Sequence, residues 1–124
     1  MYNNKVMQHF LHPQNAYKMT DADAEGSYGD PECGDALTIY LKVEDDMITE
    51  ISYLVYGCCA AIATSSIASV MIKGKTIEQA WLITEEDIIR AIDGLPGSKE
   101  HCSLLVVSAL RKAIHNYQEK SKTI

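Results

Sequence analysis

The clearest alternation in the chain runs from Ala36 to Val43. Leu37, Ile39, Leu41 and Val43 fall on one side; Ala36, Thr38, Tyr40 and Lys42 fall on the other. That two-residue period predicts a half-buried strand. Glu44-Asp45-Asp46 interrupts the pattern as a turn. Alternation then resumes as far as Tyr56, with Ile48, Glu50, Ser52, Leu54 and Tyr56 on one face and Thr49, Ile51, Tyr53 and Val55 on the other. The two runs predict an antiparallel hairpin. Beyond it the period changes. From Ala60 to Ile72 small and apolar residues follow one another, with no charge until Lys73. This predicts a buried helix, with Gly74 as the residue that ends it. Cys58 is thereby placed where a strand becomes a helix.

The remaining segments are shorter. Lys5 to Leu11 predicts a helix whose apolar stripe is Val6, Met7, Phe10 and Leu11, capped by Asn3 or Asn4 and ended by His12 before Pro13. Residues 13–34 are rich in Asn, Asp, Gly and Pro and predict a long loop, with one short edge strand near Gly26 to Gly29. A loop of that length in a compact domain is often functional, and this one ends at Cys33. Thr76 is placed to cap a short helix through Trp81, and Thr84-Glu85-Glu86-Asp87 resembles a capping box opening a helix toward Ile92. Gly94-Leu95-Pro96-Gly97 breaks that helix. Ser98 is the expected N-cap of a last helix running to about Glu119, with Cys102, Val106, Leu110, Ala113 and Tyr117 on one side. No internal repeat interrupts this order, and residues 1–124 are expected to form a single domain.

Composition narrows the classes of function. The hydrophobic fraction of 47% is ordinary for a globular chain. A formal charge of −6 argues against a nucleic-acid partner, because phosphate contact needs a basic face. The late basic residues Lys99, Arg111, Lys112, Lys120 and Lys122 read as the solvated face of the last helix. Met1 to Phe10 lacks a long apolar core and a cleavage pattern, so no signal peptide is expected. Ile51 to Ile72 carries no charge and is long enough to cross a bilayer, yet it holds Gly57, Thr64 and several serines and begins as an alternating strand. No membrane association is expected, and the expected location is the cytoplasm. In that compartment four cysteines point to metal binding or reactivity rather than to disulfides.

Three cysteine positions carry the chemistry. Cys58 opens one helix and Cys102, beside His101, lies in the first turn of another; Cys33 follows the long loop. A thiol at a helix start faces free backbone N–H groups and the positive end of the helix dipole, which favours thiolate, the form that binds metal and attacks sulfur. Three thiolates and one further ligand suit zinc or a [2Fe–2S] cluster, and Asp35 and His101 are the candidates for the further ligand. Side chains of adjacent residues diverge, so Cys58 rather than Cys59 is the expected ligand. His9, His12 and His115 read as surface residues, Trp81 as core or a partial surface anchor, and the Ser65-Ser66 pair as close helix packing rather than a nucleophile. A lone cysteine is more often a small buried hydrophobe, and no Cys-x-x-Cys knuckle is present.

At these residues the chain resembles the scaffold family of iron–sulfur cluster assembly, IscU and the N-terminal domain of NifU. The resemblance runs through Lys5-Val6, His9-Phe10, Pro13-Gln14-Asn15, Cys33-Gly34-Asp35-Ala36-Leu37, Tyr56-Gly57-Cys58, Ala61-Ile62-Ala63, Ser65-Ser66, Lys73-Gly74-Lys75, Leu95-Pro96 and His101-Cys102-Ser103. It implies an α+β fold with a small antiparallel sheet of three strands and helices on one side, which agrees with the two strands read above. It implies that Cys33, Cys58 and Cys102 hold a cluster, with Asp35 and His101 as neighbouring ligands or tuning residues. It further implies a scaffold that takes persulfide sulfur from a cysteine desulfurase and iron from an iron donor, builds a [2Fe–2S] cluster, and passes it to apo iron–sulfur acceptor proteins. Such a protein is a carrier, not a turnover enzyme. Cys58 or Cys102 would be the first sulfur acceptor, Asp35 would keep the cluster labile, and zinc could occupy the empty site.

Two departures from the family pattern stand out. Cys59 replaces the usual glycine or small residue after the middle cysteine. The family's Leu-Pro-Pro-Val-Lys motif stands as Leu95-Pro96-Gly97-Ser98-Lys99, which puts delivery through a dedicated Hsp70-type chaperone in doubt. The rival functions are a zinc-bound sulfur relay similar to SufU, for which an insertion between the second and third cysteines is expected and absent, and a structural zinc module.

Overall fold

A computed structural model describes residues 2–30 and 34–122, and only the backbone of Asp30, Ser121 and Lys122. Cys33, and with it the turn that precedes Gly34, lies outside the described residues.

Helix α1 spans Asn4–Leu11, and Asn3 caps it by accepting from the Val6 N–H. The same Asn3 side chain donates to the carbonyls of Ile92 and Gly94, fastening the N-terminus to a distant turn. Three antiparallel strands follow: β1 (Ala24–Asp30), β2 (Asp35–Glu44) and β3 (Met47–Tyr56), in the order β1-β2-β3. The edge strand expected near Gly26 to Gly29 is thus longer at both ends. Asp45 and Asp46 join β2 to β3, both at positive φ (53° and 62°), the backbone of a two-residue turn whose twist suits a hairpin.

The alternation of β3 does not run unbroken. The register slips between Lys42 and Val43, pairing Lys42 with Glu50 but Val43 with Ile48. Thr49 takes up the extra residue of a bulge, so Ile48 is buried along with Ile51 and Tyr53 although the simple two-residue period sets it on the opposite face.

Helices α2 (Cys59–Ile72), α3 (Ile77–Trp81), α4 (Glu85–Ala91) and α5 (His101–Lys122) complete the fold. Thr76 and Thr84 each close a capping box, with Gln79 and Asp87. The expected N-cap Ser98 is not one: Gly97–Lys99 forms a 3-10 turn, and α5 begins only at His101. The glycine and proline before it let the chain tighten first, which displaces the helix start by two residues, from Lys99 to His101.

Helix α2 is buried almost all round, as its small residues and missing polar face require. It lies against β3, α1 and α5, while α5 covers β1 and β2. Gly26 marks the closest approach, since a Cβ there would stand 2.2 Å from the Ala113 backbone nitrogen of α5. The core is made by Leu37, Ile39, Leu41, Ile51, Ile67, Ile72, Val106, Leu110 and Ile114, among others. Helices therefore pack on one side of the sheet. The other side is not bare. Residues 15–23 cross it, from the Asn15 carbonyl that accepts from the Tyr53 N–H to the Asp23 N–H that donates to Leu41. Tyr40 and Ser52, on that face, are buried.

Candidate functional site

One end of the molecule gathers the start of β2, the end of β3 and the starts of α2 and α5. Cys58 is the N-cap residue of α2, with extended backbone (φ −80°, ψ 177°) and no side-chain capping bond, so its thiol is left for other work. Cys102 stands in the first turn of α5. The two sulfurs lie 4.0 Å apart. Cys102 is 0% exposed, whereas Cys58 is half-buried. Both pack with Ala60 and Ala61 in a small apolar cluster set apart from the main core.

Asp35 reaches the same place from the first residue of β2. Its Oδ2 lies 3.2 Å from His101 Nε2, and that nitrogen lies 3.8 Å from Cys102 Sγ. A single ring nitrogen thus faces both a carboxylate and a thiol. When protonated it donates to Asp35; when bare it can accept from the Cys102 thiol, but then it repels the carboxylate. Room for Asp35 comes from Gly57, the residue just before Cys58. The Gly34 backbone, at φ +92°, turns the chain into β2.

The placement of Cys102 at a helix start does not make it acidic. Burial, with the neighbouring Cys58 adding to it, pushes its thiol up to about 12. Desolvation outweighs the helix dipole here. Burial also raises the Cys59 thiol. Cys59 packs against the main core while Cys58 packs beside Cys102, so the neighbouring side chains diverge as expected.

The structure thus brings together four of the five residues expected at the site: Asp35, Cys58, His101 and Cys102. The fifth, Cys33, lies outside the described residues. Among the described residues no three His, Cys, Asp or Glu side chains are already arranged to hold a metal ion. Two thiols and an imidazole are nonetheless donors that suit iron or zinc, with a carboxylate as the harder, weaker one. An open cleft of about 580 Å³ leads from Asp35 and His101 past Tyr28 and Leu104 to Lys112.

Two residues escape sequence reasoning. Tyr2 packs against the cluster of Ala60, Ala61 and Cys102, and burial, with Cys58 adding to it, raises its phenol. An aromatic outside the stripe of α1 is its one signal in the sequence. His9 is not a free surface residue: its Nδ1 lies 2.7 Å from Ser66 Oγ, which also accepts from the Gln14 N–H. A histidine does therefore face the serine pair, but Ser66 is occupied in fastening α1 and the following loop to α2. Ser65 donates to the Ala61 carbonyl. Trp81 is half-exposed and lies under the Arg111 guanidinium, 5.6 Å from the ring centre.

A family model described as the NifU-like N-terminal domain matches residues 1–124. The iron–sulfur cluster assembly scaffold protein IscU 1 of Archaeoglobus fulgidus is 51% identical over 124 residues, covering 100% of this chain and 81% of that protein. IscU of Aquifex aeolicus is 42% identical over 121 residues, covering 96% and 77%. The nitrogen fixation protein NifU of Azotobacter chroococcum is 39% identical over 119 residues, covering 94% of this chain but 38% of that longer protein. Among solved structures, the N-terminal part of a NifU-like protein from Brucella abortus superposes with a TM-score of 0.79 at 18% identity, over 95% of this chain and 94% of that one. That likeness concerns the fold alone.

Proposed function

The chain belongs to the family of NifU-like N-terminal domains, and from that premise we propose that it is a scaffold on which iron–sulfur clusters are assembled and from which they are passed on. Its cargo is a [2Fe–2S] cluster, built from iron and from persulfide sulfur supplied by a cysteine desulfurase, and delivered to apo iron–sulfur proteins in the cytoplasm. The observation that carries this reading is the meeting of the Cys58 and Cys102 sulfurs at 4.0 Å, with Asp35 and His101 edging the same place. Cys33, Cys58 and Cys102 supply the thiolates, and Asp35 or His101 the exchangeable fourth position. A carboxylate lets go more readily than a thiolate, as a transfer site requires. Relatives named as scaffold proteins at 51% and 42% identity support a carrier role rather than turnover catalysis.

The rival zinc readings are less well supported. A structural zinc module needs the metal to fold, but here a large apolar core lies apart from the cysteine cluster. A SufU-like relay is expected to carry an insertion between its second and third cysteines, and the segment from Cys58 to Cys102 has none. Anaerobic reconstitution with ferrous iron and sulfide tests the proposal. Visible absorption and Mössbauer spectra of a [2Fe–2S] centre, lost in Cys58→Ala and Cys102→Ala, are the expected result. Tight zinc retention with no cluster under the same conditions overturns it.

A further inference from the structure

We infer that Cys102 releases sulfide from a persulfide on Cys58 by forming a disulfide with it, so that the chain itself supplies the electrons. This rests on the reading that the site receives persulfide sulfur. Cys58 is the more open of the pair, so sulfur arriving from outside lands there, whereas Cys102 is sealed at 0% exposure. External thiols cannot easily reach Cys102. Among the described residues, the sulfur placed to meet it is Cys58 Sγ, 4.0 Å away.

Once Cys58 carries an outer sulfur, Cys58 Sγ is the inner sulfur of the persulfide, and it is this atom that faces Cys102. Attack there forms the Cys58–Cys102 bond and breaks the bond to the outer sulfur, which leaves with that electron pair. The balance is Cys58–S–S⁻ plus Cys102–SH giving Cys58–S–S–Cys102 plus HS⁻. The thiol proton ends on the departing sulfide, and His101 Nε2, 3.8 Å from Cys102 Sγ, is placed to carry it across. No outside reductant enters this step; a dithiol reductant is needed only to reopen the disulfide afterwards. Because Cys58 caps α2 and Cys102 lies in the first turn of α5, the step is unimolecular. Sulfide is set free beside Asp35 and His101, at the place where iron is to be bound. Cys59 is no competitor, since it packs against the main core.

The test uses the full chain, free of iron, under argon with a chelator. Glutathione persulfide is the sulfur source. Sulfide release is measured alongside mass spectrometry of unreduced peptides. The expected result is one sulfide per chain, with a Cys58–Cys102 cross-linked peptide. Cys102→Ala, which leaves an apolar residue beside Ala60 and Ala61, keeps the persulfide on Cys58 and releases sulfide at least about tenfold more slowly. Cys59→Ala behaves like the parent. A lasting persulfide on the parent chain without the cross-link, or a cross-link from Cys58 to Cys59 or Cys33 instead, overturns the inference. If iron and sulfide still assemble a cluster in that case, the scaffold reading survives and this inference alone fails. If Cys58 takes up no sulfur at all, the inference falls together with the proposal that the site receives persulfide.

Discussion

A Cβ placed on Gly57 would stand 2.6 Å from Asp35 Oδ1 and 3.0 Å from Ala61 Cβ. The carboxylate therefore occupies space that any side chain at position 57 would claim. Asp35 is the flexible partner, with its side chain 29% exposed, so it is the group that yields. Gly57→Ala should cost about 1–2 kcal/mol of stability while pushing Asp35 off His101. The variant is expected to melt slightly earlier and to alter cluster lifetime in the same direction as removal of the Asp35 carboxylate. An unchanged lifetime would show that the close approach has no bearing on the site.

Asp35→Ala should lengthen the life of a bound cluster. Loss of the carboxylate leaves His101 and the thiolates as the remaining donors and removes the position that an incoming thiol enters most readily. Decay of the visible absorption in air and transfer to apo-ferredoxin are both expected to slow, by about tenfold. Among the described residues the Asp35 carboxylate is paired with His101 Nε2, so a purely structural role as a turn cap predicts lower stability with decay unchanged or faster.

Cys59→Ala should leave assembly near the parent level. The side chain packs on the main core and away from the Cys58–Cys102 pair. Trimming one partly buried sulfur should lower stability by about 1 kcal/mol, read as a shift of the urea midpoint. A collapse of assembly with the fold intact would assign the site chemistry to Cys59 rather than to Cys58.

His9 ties stability to pH. Burial, with Lys5 adding to it, holds its imidazole below the ordinary histidine value. The unfolded chain then binds the proton more readily than the folded one, so ν_U exceeds ν_N and stability rises with pH. The loss begins as pH falls through about 6.5 and is complete below the lowered folded value; well above that range His9 contributes no pH dependence. Urea midpoints at acid and neutral pH should therefore draw closer together in His9→Gln than in the parent. An identical gap in both proteins would show that His9 carries none of this pH dependence. Ser66→Ala, which strips a partner from both His9 and the Gln14 N–H, should cost about 1–3 kcal/mol at neutral pH.

Gly26→Ala should be the most damaging glycine change. Its Cβ would meet the Ala113 nitrogen at 2.2 Å and the Ala109 oxygen at 2.8 Å, both on the backbone of α5, which cannot rotate away. The expected loss is about 3 kcal/mol, the upper end of overpacking costs, seen in a thermal melt. Tolerance at this position would mean that β1 can slide along the helix.

What could be read from the sequence were the features written in local pattern. The alternation of Leu37, Ile39 and Leu41, the small-residue run of α2, and the caps at Asn3, Thr76 and Thr84 each announce themselves within a few residues. The convergence of Cys58 and Cys102 followed because strand ends and helix starts are local features too. Other features depend on distant partners. The bulge at Thr49 shows only when β3 is laid against β2. His9 reads as a surface residue because Ser66 lies far along the chain, and Tyr2, an aromatic outside the stripe of α1, packs against a cluster whose members lie some sixty and a hundred residues on. Ser98 has the chemistry of a cap, yet the turn after Pro96 leaves it outside the helix. At Cys102, position along the helix suggested acidity, but burial decides against it.

The course of α5 has a consequence for how the molecule can be altered. At its start it carries His101 and Cys102; near its far end Asn116 donates to the Glu25 carbonyl and Lys120 to the Asp23 carbonyl. The hairpin tip at Asp45–Asp46, the Gly74 turn and the cap at Thr76 likewise stand far from the cysteines, joined to one another through Ile77 N–H to Asp46 and Gly74 N–H to Ile48. The molecule thus has two poles, one chemical and one architectural, separated by the length of the sheet. A lineage could lengthen, recharge or re-cap the architectural pole to suit a hotter or saltier cell without disturbing a single donor atom at the other.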